Sequence, residues 1–268
     1  MKQTFDIRRF WQTLKWTVIS EKKSISTAAI AFLVGFLCIQ LFSCFTLFDL
    51  SQGLGKGATF AGMITCVTII FIFLIPYYAS GILGNARTKQ QRTTALTLPA
   101  SNMEKFLVRI IYCCIFMPLL LNVTFVAATC LRALIELVFG HEDIIFGLQI
   151  LGNHFDPNYD SLISFVGSIW MLSLFVLGGV FYRHRPFVWT SVTLVAAGLL
   201  LATIGFYIGT MIGEDAIRHF AMNFSGLSFE TFDLIFSLIL AAFTVLNFWL
   251  SYKLFCKLQV VQHKWFNV

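Results

Sequence analysis

The sequence predicts an all-α integral membrane protein: a six-helix transmembrane bundle preceded by an N-terminal interfacial amphipathic helix. Three observations predict it. The chain is 58% hydrophobic and only 12% charged over 268 residues, whereas a soluble domain carries about 25% charged residues to cover its surface. Six apolar runs, at 26–48, 58–83, 108–131, 162–182, 187–212 and 232–254, are each long enough to cross about 30 Å of hydrocarbon at about 1.5 Å per helical residue. They neither alternate in polarity nor shorten as membrane strands do, so helices are the form that satisfies their backbone in lipid. Finally, the basic residues alternate between the segments that join the runs.

Ahead of the first run, Ile7, Phe10, Trp11, Leu14 and Val18 share one helical face, Arg8 and Lys15 flank it, and Trp11 and Trp16 suit an interface. This pattern predicts a helix lying on the membrane rather than crossing it. The first run lies too far behind a basic stretch, and is too long, for a secretory signal.

Orientation follows from the charges. The N-terminal segment, the second-to-third loop, the fourth-to-fifth turn and the C-terminal tail hold sixteen of the nineteen Lys and Arg residues. The alternate loops hold only Lys56, Arg132 and Arg218, and ten of the thirteen acidic residues. The positive-inside rule therefore places both termini in the cytoplasm. This alternation explains the net charge of +6 and the pI near 9.0, and no nucleic-acid partner is expected.

The second and third runs contain Pro76 and Pro118, each suited to a hinge or to a static kink. The loop from Arg132 onward holds two apolar patches, 135–139 and 144–151, too short to cross and placed on the membrane or as caps of the bundle. In the fifth run Gly198, Ala202, Gly205, Gly209 and Gly213 step by three or four residues along one face. Small residues let helix backbones approach closely, so this face predicts close helix packing, either within the chain or against a second subunit.

Chemistry is sparse. No ionisable residue falls near the middle of a run, which disfavours an ion-coupled carrier. Gln40, Asn122 and Asn247 are expected to bond between helices. His141-Glu142-Asp143 has no second spaced histidine, so no metal site is expected. Gly53-Leu54-Gly55-Lys56-Gly57 is not a phosphate loop, because Asp49 holds the first glycine position and Gly57 the required hydroxyl position. No catalytic residue and no cofactor are expected in this chain. The seven cysteines, mostly inside apolar runs and without a Cys-x-x-Cys pair, read as small apolar residues.

The loop 85–109 reads Asn-Ala-Arg-Thr-Lys-Gln-Gln-Arg-Thr-Thr-Ala-Leu-Thr-Leu-Pro-Ala-Ser-Asn-Met-Glu-Lys-Phe-Leu-Val-Arg. Pro99 ends whatever precedes it, and Ser101 with Glu104 forms a Ser-x-x-Glu capping box opening the next helix. A short element, a proline break and a capped helix make a platform under the membrane on which another protein can dock.

With this loop, the chain resembles the permease subunits of type-2 ATP-binding-cassette exporters, in a divergent bacterial subgroup. Those permeases have six helices, a surface helix at the N-terminus, and a second-to-third segment of the form Glu-Arg-Glu-x-Gly-Thr, a Leu-rich stretch, then Pro-Val-Ser. Arg87, Leu96, Pro99 and Ser101 match that pattern. Ala86 and Thr88 stand where the family has acids, and Gln90-Gln91 where it has Gly-Thr.

The resemblance implies an organisation of a surface helix at 1–25, a transmembrane domain at 26–256 with a coupling segment at 85–107, and a tail at 257–268. It implies a nucleotide-binding ATPase partner docked on Arg87, Arg92, Leu96, Leu98, Pro99, Ser101 and Glu104. It also implies a second permease chain, identical or a sister, and a place in the bacterial inner membrane. ATP would be hydrolysed on the partner, and the substrate would be moved outward. Two other classes share the topology: a scaffold or regulatory subunit without a transport path, favoured by the missing acids, and an intramembrane lipid-modifying enzyme, which needs a cluster of reactive groups at one depth.

Overall fold

The computed structural model describes residues 5–50, 56–86, 99–139, 162–182, 184–212 and 229–257. Among the described residues the chain is all-α, without a strand, and six helices are long and apolar enough to cross a membrane. In chain order the elements are α1 (Ile7–Ser20), α2 (Lys22–Leu50), α3 (Lys56–Ser80) followed by a 3-10 segment (Gly81–Ala86), α4 (Asn102–Ile110), a π-helical segment (Ile111–Phe116), α5 (Met117–Phe139), α6 (Leu162–Phe181), α7 (Pro186–Ile212) and α8 (Phe229–Cys256). The chain divides into two compact units. One comprises Met1–Tyr78 and Pro99–Tyr159, the other Ala79–Leu98 and Asp160–Val268.

In the first unit α2, α3 and α5 meet at Phe125, which is 1% exposed. Phe36 and Phe71 set their rings at 5.4 Å and 6.0 Å from it, both edge to face, the geometry that aromatic quadrupoles favour. Val67, Leu121 and Ala128 complete this core. One turn beyond Phe125, the Gln40 Nε2 donates to Thr129 Oγ1 at 3.1 Å, joining α2 to α5. The interhelical bond expected of Gln40 is present. Asn122 donates to the Pro118 carbonyl of its own helix.

Two sequence expectations need correction here. The third span does not stop at 131: α5 runs on to Phe139, so 135–139 is its last turn rather than a separate patch on the membrane. Arg132 is therefore a helical residue, 2% exposed, and not the start of a loop. From Asn102 to Ile135 the helical run covers 34 residues, about 51 Å at 1.5 Å per residue, well beyond the about 30 Å of a hydrocarbon core. The amphipathic start of α4, 102–107, accordingly lies outside the span of 108–131. The π segment ends where Met117 N–H donates to the Tyr112 carbonyl, five residues back. Pro118, which lacks an N–H, follows at once, and the widened turn accommodates the missing donor. At Pro76, by contrast, α3 continues as an α-helix.

In the second unit α8 lies along α6. Ser237, Thr244, Asn247 and Ser251 form a buried small-polar seam on α8, spaced at three, four and seven residues as one helix face requires. The Asn247 Nδ2 donates to Ser173 Oγ of α6 at 3.0 Å, the second interhelical bond expected. Gly178 and Gly179 of α6 are approached too closely for any side chain. A Cβ on Gly178 would meet the Thr190 side chain of α7, and one on Gly179 the Ser80 backbone carbonyl. Stacked pairs Phe175–Phe187 and Tyr182–Trp189 close the α6–α7 hairpin.

Candidate functional site

The described part of the predicted docking platform is built at the start of α4. Asn102–Ile110 is polar on one side and apolar on the other, with Phe106 and Val108 buried. It begins at Ser101 because Pro99 disfavours helix before it and the Ser101 hydroxyl accepts the Glu104 N–H, at 3.2 Å. Glu104 answers by accepting the Ser101 N–H on Oε2 at 2.8 Å. Both halves of the predicted capping box are therefore made, and each satisfies a helix-start donor that would otherwise lack a partner.

The same carboxylate has a second role that sequence spacing does not reveal. Its Oε1 accepts the backbone N–H of Asp6 at 2.8 Å, and the Arg9 Nη2 stands 3.6 Å away. Asp6 is the N-cap of α1, its own carboxylate accepting the Arg8 N–H at 2.9 Å. The N-termini of α1 and α4, each the positive end of a helix dipole, thus converge on one carboxylate, fully buried at 0% exposure. Burial pushes the Glu104 pKa up. The two backbone donors and the Arg9 charge outweigh it and hold the group below the ordinary glutamate value, so it is ionised. At the other end of α1, the Tyr112 hydroxyl donates to Glu21 Oε2 at 3.0 Å. The surface helix is tied at both ends to the helical run that opens at Ser101.

The expected site residues fall into three groups. Arg87, Arg92, Leu96 and Leu98 lie outside the described residues, as does Gly213. Pro99 is exposed. Ser101 and Glu104 are buried and Glu104 faces α1, so a docked partner would not touch Glu104; it positions the platform from within.

On the fifth span, Gly198, Ala202 and Gly205 are exposed and Gly209 is half-buried. A Cβ on Gly198 or Gly205 would meet nothing within 4 Å. Packing of this face within the chain, one of the two roles expected of it, is not seen among the described residues. Every residue of 195–208 is exposed. The close helix approach that the glycine pattern suggested is made elsewhere, at Gly178 and Gly179, where the adjacent glycine pair between Leu177 and Val180 was the available signal.

Among the described residues no group of three or more His, Cys, Asp or Glu side chains is placed to hold a metal ion. The fold and this platform define a multi-pass, all-α membrane protein with a surface helix fastened beneath its third span. Comparison with known protein families, with curated proteins and with solved structures finds nothing that matches this chain.

Proposed function

We propose that the chain is the permease subunit of an ATP-binding-cassette exporter, driven by a separate ATPase subunit docked on its second-to-third loop. The observation that carries this reading is the fastening of α1 to α4 through Glu104. Work delivered at the 85–107 segment reaches α4 directly, and through Glu104 and Tyr112 it reaches α1 and the root of the first span. A permease driven from outside needs such a stiff input, and an isolated surface helix would not supply it. The bare length of α7 supports pairing with a second permease chain through the Gly198–Ala202–Gly205–Gly209 face, since small residues at a membrane-helix interface favour close association. The basic side of the chain faces the cytoplasm of a bacterial cell, with the substrate moved outward.

The test is a pull-down of the tagged chain in mild detergent with an ATPase assay on the eluate. An ATPase subunit in stoichiometric amount, lost in Arg87→Glu and Pro99→Gly, supports the permease reading. A folded chain that brings down no ATPase overturns it and favours a scaffold without a transport path.

A further inference from the structure

We propose that α1 and the first turn of α2 form a docking surface for anionic phospholipid headgroups, with Arg8, Lys15, Lys22 and Lys23 as its cationic contacts and Trp11 as its anchor. The inference concerns the lipid that this segment selects and stands independently of the permease reading.

One side of α1 is engaged within the chain. Its amphipathic pattern invites burial of the apolar stripe, yet its one buried residue is Thr13, and Arg9, beside it, reaches Glu104. The helix is therefore seated on its Arg9–Thr13 edge, with Phe10, Leu14 and Val18 half-buried. Ile7, Trp11 and Ile19 are left 63%, 61% and 61% exposed. Such residues remain bare in water only at a cost, and beside a helix that crosses the membrane, Lys22–Leu41, the available cover is the lipid interface.

The charges are sorted in the same sense. The two acidic side chains of this segment are engaged: Asp6 caps the Arg8 N–H and faces Arg9 at 3.7 Å, and Glu21 accepts the Tyr112 hydroxyl. Arg8, Lys15, Lys22 and Lys23 are all exposed. Arg8, Trp11 and Lys15 follow at intervals of three and four residues, which sets the indole between two cations on one side of the helix. A tryptophan at headgroup depth flanked by cations fits a phosphodiester carrying net negative charge. A zwitterionic headgroup presents the same apolar boundary without that charge, so the surface discriminates between the two.

The full-length chain is reconstituted with phospholipids brominated on the acyl chains, either phosphatidylglycerol or phosphatidylcholine at equal mole fraction in a phosphatidylcholine host. Quenching assigned to Trp11 is taken as the difference between wild type and Trp11→Phe. We expect Trp11 to be quenched by both, with relative lipid affinity favouring phosphatidylglycerol by about fivefold or more, the scale of one cation at an anionic surface. In Arg8→Gln/Lys15→Gln/Lys22→Gln/Lys23→Gln the preference falls to about onefold, while quenching in phosphatidylcholine persists. The charge-retaining Arg8→Lys/Lys15→Arg/Lys22→Arg/Lys23→Arg keeps the preference, and molar salt removes it from wild type without any substitution. Equal affinity for the two lipids in wild type, or a preference that survives neutralisation or salt, overturns the proposal. So does a Trp11 that neither lipid quenches, the result expected if a protein partner covers this face.

Discussion

Glu104 Oε1 accepts the backbone N–H of Asp6 at 2.8 Å across 98 residues of sequence. One buried carboxylate thereby closes the first turn of α4 and secures the first turn of α1. In water each of these helix starts would be hydrated. Here the donors of Asp6 and Ser101 meet on one buried carboxylate.

Substitution at Glu104 tests this coupling. Glu104→Ala leaves two backbone donors without their acceptor, at about 1–3 kcal/mol for each group left unsatisfied. Glu104→Gln retains one acceptor oxygen and costs less. We expect the melting temperature in detergent to fall in the order wild type, Gln, Ala. Limited proteolysis should cut after Arg8 or Arg9 sooner in both variants. An unchanged cleavage rate in Glu104→Ala would show that α1 is held by other contacts.

The pH dependence has a definite sign. The folded pKa of Glu104 lies below the ordinary value of 4.5. A depressed carboxyl contributes stability that is fully present above the unfolded value and is lost as pH falls through the folded one. Docking of α1 should thus be constant from neutral pH down to about 4.5 and weaken below it. Hydrogen exchange at the α1 amides across that range measures it, and Glu104→Gln should flatten the acid limb.

The glycine pair of α6 gives a contrast with the glycines of α7. At Gly179 an added methyl meets the Ser80 backbone carbonyl, and backbone cannot swing aside; at Gly178 it meets the Thr190 side chain. Each alanine substitution should cost roughly 1–3 kcal/mol by overpacking. Thr190→Ala should rescue Gly178→Ala and leave Gly179→Ala unrescued. Gly198→Ala and Gly205→Ala, which meet nothing, should leave the thermal stability of a detergent-isolated monomer unchanged. Melting curves of the four glycine variants and of the two double variants carrying Thr190→Ala decide the matter.

Asn247→Ala removes the side-chain bond to Ser173 across α6 and α8. Ser173 Oγ still donates to the Trp170 carbonyl at 2.6 Å, so its hydroxyl proton stays satisfied. The expected loss is about 0.6 kcal/mol, the average for such bonds between membrane helices. A loss several times larger would mean that the seam of Ser237, Thr244 and Ser251 depends on Asn247.

Much of this protein was legible in its residue order, because the bilayer is a demanding solvent. Burial of some 20 apolar residues as a helix is the solution for a single segment in lipid, so the six spans at 26–48 through 232–254 follow from hydropathy without knowledge of their neighbours. The Ser101–Glu104 capping box is legible for the same reason: its partners are three residues apart, and local geometry alone makes both bonds. Tertiary structure decided what required distant partners. It turned α1 onto its Arg9–Thr13 edge and left Trp11 bare, because a buried carboxylate at residue 104 attracts donors more strongly than the apolar stripe seeks cover that lipid can supply. It gave close packing to Gly178 and Gly179 rather than to the more regular Gly198–Gly209 face, since a glycine pattern permits approach while the opposing surface, Thr190 and the Ser80 carbonyl, determines where approach occurs.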